Sequence, residues 1–153
     1  MLTSQVQRRA EAVAQAGTVR AAIDAGHIEA TASVSVAEAL VLGLLEQGVR
    51  TYFVVLGHGS TELAERLRCY AEAGAIKVVT CRNEVEAAHA AMALRWTTGA
   101  PAAVVTSIGP GAMQAAAASL AAASDGVGVY HIYGDETTFD EGPNMQQVPA
   151  PAQ

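Results

Sequence analysis

Three short polar segments of the sequence carry side chains that could do chemistry. They are Gly57-His58-Gly59-Ser60, Arg82-Asn83-Glu84 and the stretch from Thr106 to Gly111. Glu84 follows an apolar run and precedes a helical pattern, so its carboxylate has two interpretations. It is either a solvated first-turn residue that favours the helix dipole or a group held for work on a ligand. His58, between two glycines, could transfer a proton or could be an exposed turn residue.

Alternating apolar runs and helical stripes predict the elements that position these segments. The predicted elements are a helix Ser35–Gly48, a strand Thr51–Leu56, a helix Ser60–Ala73, a strand Ala75–Cys81, a helix Glu84–Thr98, a strand Pro101–Ser107, a helix Pro110–Ser124 and a strand Gly126–Tyr133. Four strands with three intervening helices predict a right-handed parallel sheet in a three-layer α/β/α fold. Because parallel strands end at one edge of their sheet, the three polar segments are expected to converge on one site.

Capping residues refine the ends of these elements. Ser35 and Glu38 have the spacing of a capping box, in which the serine oxygen and the glutamate carboxylate each satisfy amides of the first turn. Ser60 is the predicted cap of the next helix. Residues 1–32 are Ala-rich and interrupted by glycines, which predicts two short helices outside the sheet, either a loosely packed leader or an arm that contacts a partner.

The composition of the 153 residues excludes some partners and favours others. A net charge of -6 without a basic cluster argues against nucleic acid and anionic membranes, because both require a basic face. The sequence is 51% hydrophobic and 16% charged, which predicts that part of its surface is buried against another chain. Cys69 and Cys81 form no close-pair motif, so reduced thiols in a cytoplasmic protein are expected.

Three other kinds of site match fragments of the pattern. Gly57 and Gly59 after a strand fit part of the Rossmann dinucleotide fingerprint, but Glu62 stands where the third glycine is required. Glu86 and His89 resemble half of a di-iron motif that needs a second copy, so His89 is expected to be a hydrogen-bonded residue on a helix face packed near the sheet. No G-x-S-x-G segment follows a strand, which argues against a serine hydrolase.

Two blocks of residues resemble the pyrimidine-binding domain of thiamine-diphosphate enzymes, in the acetolactate synthase-like group. Arg82 to Ala91 resembles that group's R-H-E-x-x-A-x-H-x-A block, and Thr106 to Ala112 resembles its T-S-x-G-P-G-A turn in a longer form. With the first glycine loop and Gln146-Gln147, this longer form is most similar to the trihydroxycyclohexanedione hydrolase of inositol breakdown. The similarity spans about Ser35 to Val148.

The resemblance implies a role for each polar segment. In the family, a glutamate carboxyl hydrogen-bonds a pyrimidine ring nitrogen of the cofactor and so promotes loss of the proton from the thiazolium carbon, and Glu84 matches that residue. The role suits a buried carboxyl, and Val78-Val79 before it could provide the burial. The turn Ile108-Gly109-Pro110-Gly111 matches the one that lines the pyrimidine pocket through main-chain groups. His58 falls where relatives place a substrate-facing residue.

The resemblance also implies what a partner would supply. Full-length members have a second domain whose G-D-G motif holds the diphosphate through Mg²⁺, and Gly134-Asp135-Glu136 is the nearest match here. The sequence begins with Met1 and ends in a Pro-Ala-rich tail, as expected of a small complete gene product. We therefore expect thiamine diphosphate and Mg²⁺ to be held mainly by a partner chain that carries the diphosphate-binding domain. This chain would pair with a second copy of itself in a heterotetramer and would provide no metal ligand.

Domain limits and a functional class follow from these interpretations. We expect a helical extension at 1–32, a pyrimidine-binding domain at 33–148 and a tail at 149–153. The predicted function is that of one subunit of a split enzyme acting on C–C bonds next to a carbonyl, by decarboxylation or carboligation of 2-oxo acids or by cleavage of a dione. The alternatives are a non-catalytic scaffold or regulatory subunit, and a Rossmann domain that would bind a nucleotide without a partner.

Overall fold

The computed structural model describes residues 2–134, which form an α/β fold with a parallel sheet, as predicted. Its helices are α1 (Leu2–Ala16), α2 (Val19–Asp24), α3 (Val36–Glu46), α4 (Thr61–Glu72), α5 (Glu84–Thr98) and α6 (Pro110–Ser124). Its strands are β1 (Thr51–Val55), β2 (Lys77–Thr80), β3 (Ala102–Thr106) and β4 (Tyr130–Tyr133), in the order β2-β1-β3-β4. In the parallel pair β3 and β4, Val104 lies opposite His131 and Thr106 opposite Tyr133.

The helix limits agree with the local signals, whereas β2 and β4 are shorter than predicted. Helix α5 covers the predicted residues and ends at Gly99, whose left-handed φ of 74° an L side chain rarely adopts. The residues expected to begin β2 and β4 instead complete the preceding helices. The amide of Ala75 donates to the Tyr70 carbonyl (2.9 Å), and that of Val127 donates to the Ala122 carbonyl (2.8 Å).

Two compact units divide the chain, and the first contains helices α1 to α3 and most of α4. It comprises Met1–Thr51 and Glu62–Val78. Helix α1 is longer than predicted and buries one face, since Val6, Ala10 and Val13 are at most 1% exposed. The interpretation of residues 1–32 as a loosely packed leader is therefore wrong, and burial of this apolar face stabilises the unit.

A buried cluster of charges joins three helices of the first unit. The Ser35 hydroxyl accepts the amide of Glu38 at 3.3 Å, as a capping box predicts. The Glu38 carboxylate does not complete that box, because it accepts two hydrogen bonds from the Arg9 guanidinium (2.7 and 2.6 Å) and one from the Tyr70 hydroxyl (3.2 Å). Glu38 is only 1% exposed, and a charge so buried is stable only when it is paired.

The second unit carries β3, β4, α5 and α6, and alanines form its core. It comprises Tyr52–Thr61 and the chain from Val79 onward. Helix α6 packs closely against α5 within this unit. Small side chains fill the core of this unit. The buried cluster consists of Ala87, Ala88, Ala91, Ala102, Val104 and Ala115.

Three further side chains bear on chemistry outside the site. Cys69 and Cys81 are both free thiols, and burial raises the pKa of the Cys81 thiol. On β4, burial lowers the pKa of His131, whose Nε2 has no hydrogen-bond partner within residues 2–134.

Among the helices of the described chain, none is long and apolar enough to cross a bilayer.

Candidate active site

The three polar segments follow β1, β2 and β3 in the second unit, and the structure brings them together. The amide of Ile108, after β3, donates to the carbonyl oxygen of His58, after β1, at 3.3 Å. Gly111, at the start of α6, lies against the side chain of Glu84, the first residue of α5. The convergence predicted from a parallel sheet is therefore present between these residues.

The N-terminal cap of α5 fixes the backbone around Glu84. The hydrogen bonds of this cap are made by neighbouring residues and do not involve the Glu84 carboxylate. The Asn83 side chain accepts the amide of Glu86 at 2.8 Å, and the Glu86 carboxylate accepts the amide of Arg82 at 3.0 Å. Glu84 itself is half-buried, less than expected, because the residues on both sides of it are exposed. Within residues 2–134, no group donates a hydrogen bond to the Glu84 carboxylate. Its acceptor oxygens are available to a ligand.

The Glu84 carboxylate lies close to Gly111, in the first turn of α6. A Cβ added at Gly111 would be 2.8 Å from Glu84 Oε1, so glycine permits this close approach. Gly109, at a φ of 59°, is the N-cap of α6, and Pro110 is the first residue of the helix. The free amides and the dipole of such a helix start favour a carboxylate nearby.

The His58 backbone is held tightly, whereas its side chain is exposed. Its carbonyl oxygen accepts hydrogen bonds from the Ser107 hydroxyl (3.0 Å) and from the Ile108 amide (3.3 Å). The Ser60 hydroxyl, predicted to cap α4, instead bonds across the loop to the carbonyl oxygen of Gly57 at 2.9 Å. The loop closes on itself because Ser60 is buried, at 2% exposure, and needs a partner close by.

Two residues of this region make close contacts that the sequence did not predict. Ser107, noted only as part of a motif, bonds the His58 carbonyl and contacts Gly57. Gly134, compared above with the G-D-G motif, lies so close to Gly59 that an added Cβ would be 2.4 Å from the Gly59 carbonyl carbon. Its position directly after a strand was the signal available in the sequence.

The di-iron interpretation receives no support from the described residues. His89 is exposed, so the expectation that it packs near the sheet is wrong, because Ala87, Ala88 and Ala91 take the buried face of α5. No group of three or more His, Cys, Asp or Glu residues within 2–134 is placed to hold a metal ion. Asp135 and Glu136 of the motif comparison, Gln146-Gln147 and the tail at 149–153 lie outside the described residues.

Comparison with known families identifies the family of this chain. Residues 34–152 match the family model described as thiamine pyrophosphate enzyme, N-terminal TPP binding domain. The chain belongs to this family. It is thus a thiamine-diphosphate-binding domain of a thiamine-diphosphate-dependent enzyme, since thiamine pyrophosphate and thiamine diphosphate are the same cofactor. A comparison with curated proteins finds no match.

The residues of the site fit the pyrimidine part of thiamine diphosphate. A protonated pyrimidine ring nitrogen donates one hydrogen bond, and the Glu84 carboxylate can accept it because no group in the described chain competes as a donor. A flat ring also needs close main-chain approach, and Gly109 and Gly111 carry no side chain that would prevent it. The assignments of Glu84, His58 and Ile108 to the site remain predictions.

Proposed function

We propose that this chain is the pyrimidine-binding subunit of a split thiamine-diphosphate-dependent enzyme that acts on C–C bonds next to a carbonyl. The observation that carries the proposal is the Glu84 carboxylate, whose Oε1 lies 2.8 Å from the Cβ position of Gly111 and which accepts no hydrogen bond within residues 2–134. A carboxylate without a protein donor can accept a hydrogen bond from a ligand, here from a protonated pyrimidine ring nitrogen.

Each predicted residue has one task in this proposal. Glu84, at the first turn of α5, shares a proton with a pyrimidine ring nitrogen in a hydrogen bond and so favours the form of the ring in which that nitrogen is protonated. The main chain of Ile108 to Gly111 lines the ring, and His58 orients the substrate or transfers a proton. Bound thiamine diphosphate supplies an electron sink for the C–C bond that breaks.

A partner chain completes the proposed enzyme. By resemblance, the partner carries the diphosphate-binding domain and Mg²⁺, and two copies of each chain form a heterotetramer in the cytoplasm. Large apolar side chains that are exposed on the second unit support burial against another chain. They include Val85 (41% exposed), Trp96 (62%), Met113 (42%) and Leu120 (67%). Within the acetolactate synthase-like group, the proposed reactions are 2-oxo acid decarboxylation or carboligation and, as in trihydroxycyclohexanedione hydrolase, dione cleavage.

Cofactor binding by the chain and by its complex tests the proposal. Titration calorimetry with thiamine diphosphate and Mg²⁺ is carried out on the chain alone, on the chain co-purified with its genomic-neighbour partner, and on complexes with Glu84→Gln or Glu86→Gln. Glu86→Gln is the matched control, because it changes a carboxylate in the same helical turn that accepts the Arg82 amide and lies outside the predicted site. Turnover of 2-oxo acids and cyclic diones is measured in parallel.

We expect binding in the complex only, and turnover that falls by roughly 100-fold or more in Glu84→Gln but not in Glu86→Gln, as for loss of a group acting in proton transfer. A stable complex that binds no cofactor would overturn the proposal and leave the scaffold interpretation. Equal turnover in the two variants would remove Glu84 from the mechanism. Binding of a nicotinamide dinucleotide by the chain alone would instead support the Rossmann interpretation.

A further inference from the structure

One side chain after β3, that of Ser107, bonds the loop that carries His58. The Ser107 hydroxyl donates to the His58 carbonyl oxygen at 3.0 Å across 49 positions of sequence. The adjacent amide of Ile108 donates to the same oxygen at 3.3 Å. Two donors on one carbonyl fix the orientation of the peptide after His58, and only the one from Ser107 can be removed by a side-chain substitution.

Ser107 also fits tightly against the start of the His58 loop. A Cβ added at Gly57 would lie 2.8 Å from Ser107 Oγ and 3.0 Å from Ser107 Cβ. The Ser60 hydroxyl binds both the amide (3.2 Å) and the carbonyl (2.9 Å) of Gly57, which closes the loop on its other side. Ser107 therefore packs against the start of the loop that Ser60 closes.

The opposite side of Ser107 faces the residues around Glu84. The Cβ position of Gly111 is 3.6 Å from Ser107 Cβ and 2.8 Å from Glu84 Oε1. Ser107 thus contacts the His58 loop and lies next to the glycine on which the Glu84 carboxylate lies. It is the side chain best placed to set the spacing between the two predicted catalytic residues.

We infer that Ser107 is a positioning residue, whose hydroxyl holds the His58 backbone at a fixed distance from the Glu84 carboxylate. The functional part of this inference rests on the proposed function, whereas the structural part does not. Ser107 need not touch cofactor or substrate. Loss of the Ser107 hydroxyl should therefore loosen the His58 backbone without weakening cofactor binding.

Hydrogen exchange on the unliganded chain tests the structural part. Ser107→Ala is compared with Ser119→Ala, in which the lost hydroxyl also donates to a main-chain carbonyl, that of Ala115 at 2.8 Å. We expect amide exchange in residues 57–60 and at Ile108 to rise about fivefold in Ser107→Ala only, the factor expected for loss of one neutral hydrogen bond. Gly57→Ala, which displaces the Ser107 hydroxyl, should have the same effect. Unchanged exchange in both variants would overturn the inference.

Kinetics of the complex test the functional part. Ser107→Ala should lower kcat about fivefold and leave the affinity for thiamine diphosphate unchanged. If Ser107 acts through His58, adding Ser107→Ala to His58→Ala should cause no further loss, because the two changes affect one interaction. Effects that multiply in the double variant would overturn the positioning role. A complex that binds no cofactor would contradict the proposed function, while the exchange experiment would still decide the structural part.

Discussion

Glu38 and Glu84 are both in the first turn of a helix, yet their surroundings differ completely. Glu38 is 1% exposed and receives three hydrogen bonds, two from Arg9 and one from Tyr70. Glu84 is half-buried, lies against a glycine and receives none within residues 2–134. A carboxylate whose donors all come from the protein serves the fold, and one that is left with free acceptors can serve a ligand.

The largest expected effect on stability separates the two carboxylates. Glu38→Gln should lower the free energy of unfolding by about 3 kcal/mol, because it leaves the Arg9 charge without its buried partner. Glu84→Gln should change it by less than about 0.5 kcal/mol, since it removes only the attraction between a half-exposed charge and the helix dipole and breaks no hydrogen bond within residues 2–134. Urea unfolding of the unliganded chain measures both values. Similar losses in the two variants would contradict the different roles of the two carboxylates.

The glycine beneath Glu84 gives the next largest effect. Gly111→Ala should weaken thiamine diphosphate binding by the complex roughly tenfold, because the new Cβ, 2.8 Å from Glu84 Oε1, displaces the carboxylate. Calorimetric titration measures this affinity. Gly43→Ala in α3 is the control, since nothing lies within 4 Å of its Cβ position. That control should bind normally and gain roughly 0.5 to 1 kcal/mol of stability from helix propensity. Normal binding by Gly111→Ala would refute the placement of the carboxylate.

Removal of the Tyr70 hydroxyl should have a smaller effect that depends on pH. Tyr70→Phe should cost about 1 kcal/mol at pH 7, where the Tyr70 hydroxyl donates to Glu38. Burial and the Glu38 charge raise the pKa of Tyr70 above its unfolded value. This contribution is therefore complete below about pH 10 and is lost as the pH rises further. Urea unfolding across the alkaline range should show the free energies of unfolding of the unmodified chain and Tyr70→Phe converging. A difference that stays constant with pH would contradict the link to Tyr70 ionisation.

His131 gives the smallest expected effect. Burial lowers the pKa of its imidazole, so below about pH 6.5 the unfolded chain binds a proton that the folded chain resists. Stability from this group is complete above that pH and is lost as the pH falls. His131→Phe should therefore lose less stability than the unmodified chain between pH 7 and pH 5, by roughly 0.5 kcal/mol. Parallel curves in thermal or urea unfolding would rule out this contribution.

Features specified by neighbouring residues could be predicted from the sequence. The limits of α5 follow from Asn83, whose side chain caps it, and from Gly99, which ends it. Convergence of the polar loops followed from the parallel sheet alone.

Features formed by distant residues could not be predicted. The donors to Glu38 lie 29 and 32 positions away in sequence, so the capping-box pattern gave the wrong partner for its carboxylate. The burial of Glu84 was overestimated, since the strand before it predicts apolar cover but the exposed loop and helix start next to it provide little.

Two kinds of glycine in this chain respond to different selective pressures. Gly74 and Gly99 end helices with a positive φ, and the fold needs them whatever the chain does. Gly57, Gly111 and Gly134 instead make room for Ser107, Glu84 and Gly59. A descendant that kept the fold but lost catalysis would be free to replace Gly111 and would still retain Gly99. Variation at these two sets of positions among natural sequences would thus distinguish working enzymes from remnants that only scaffold.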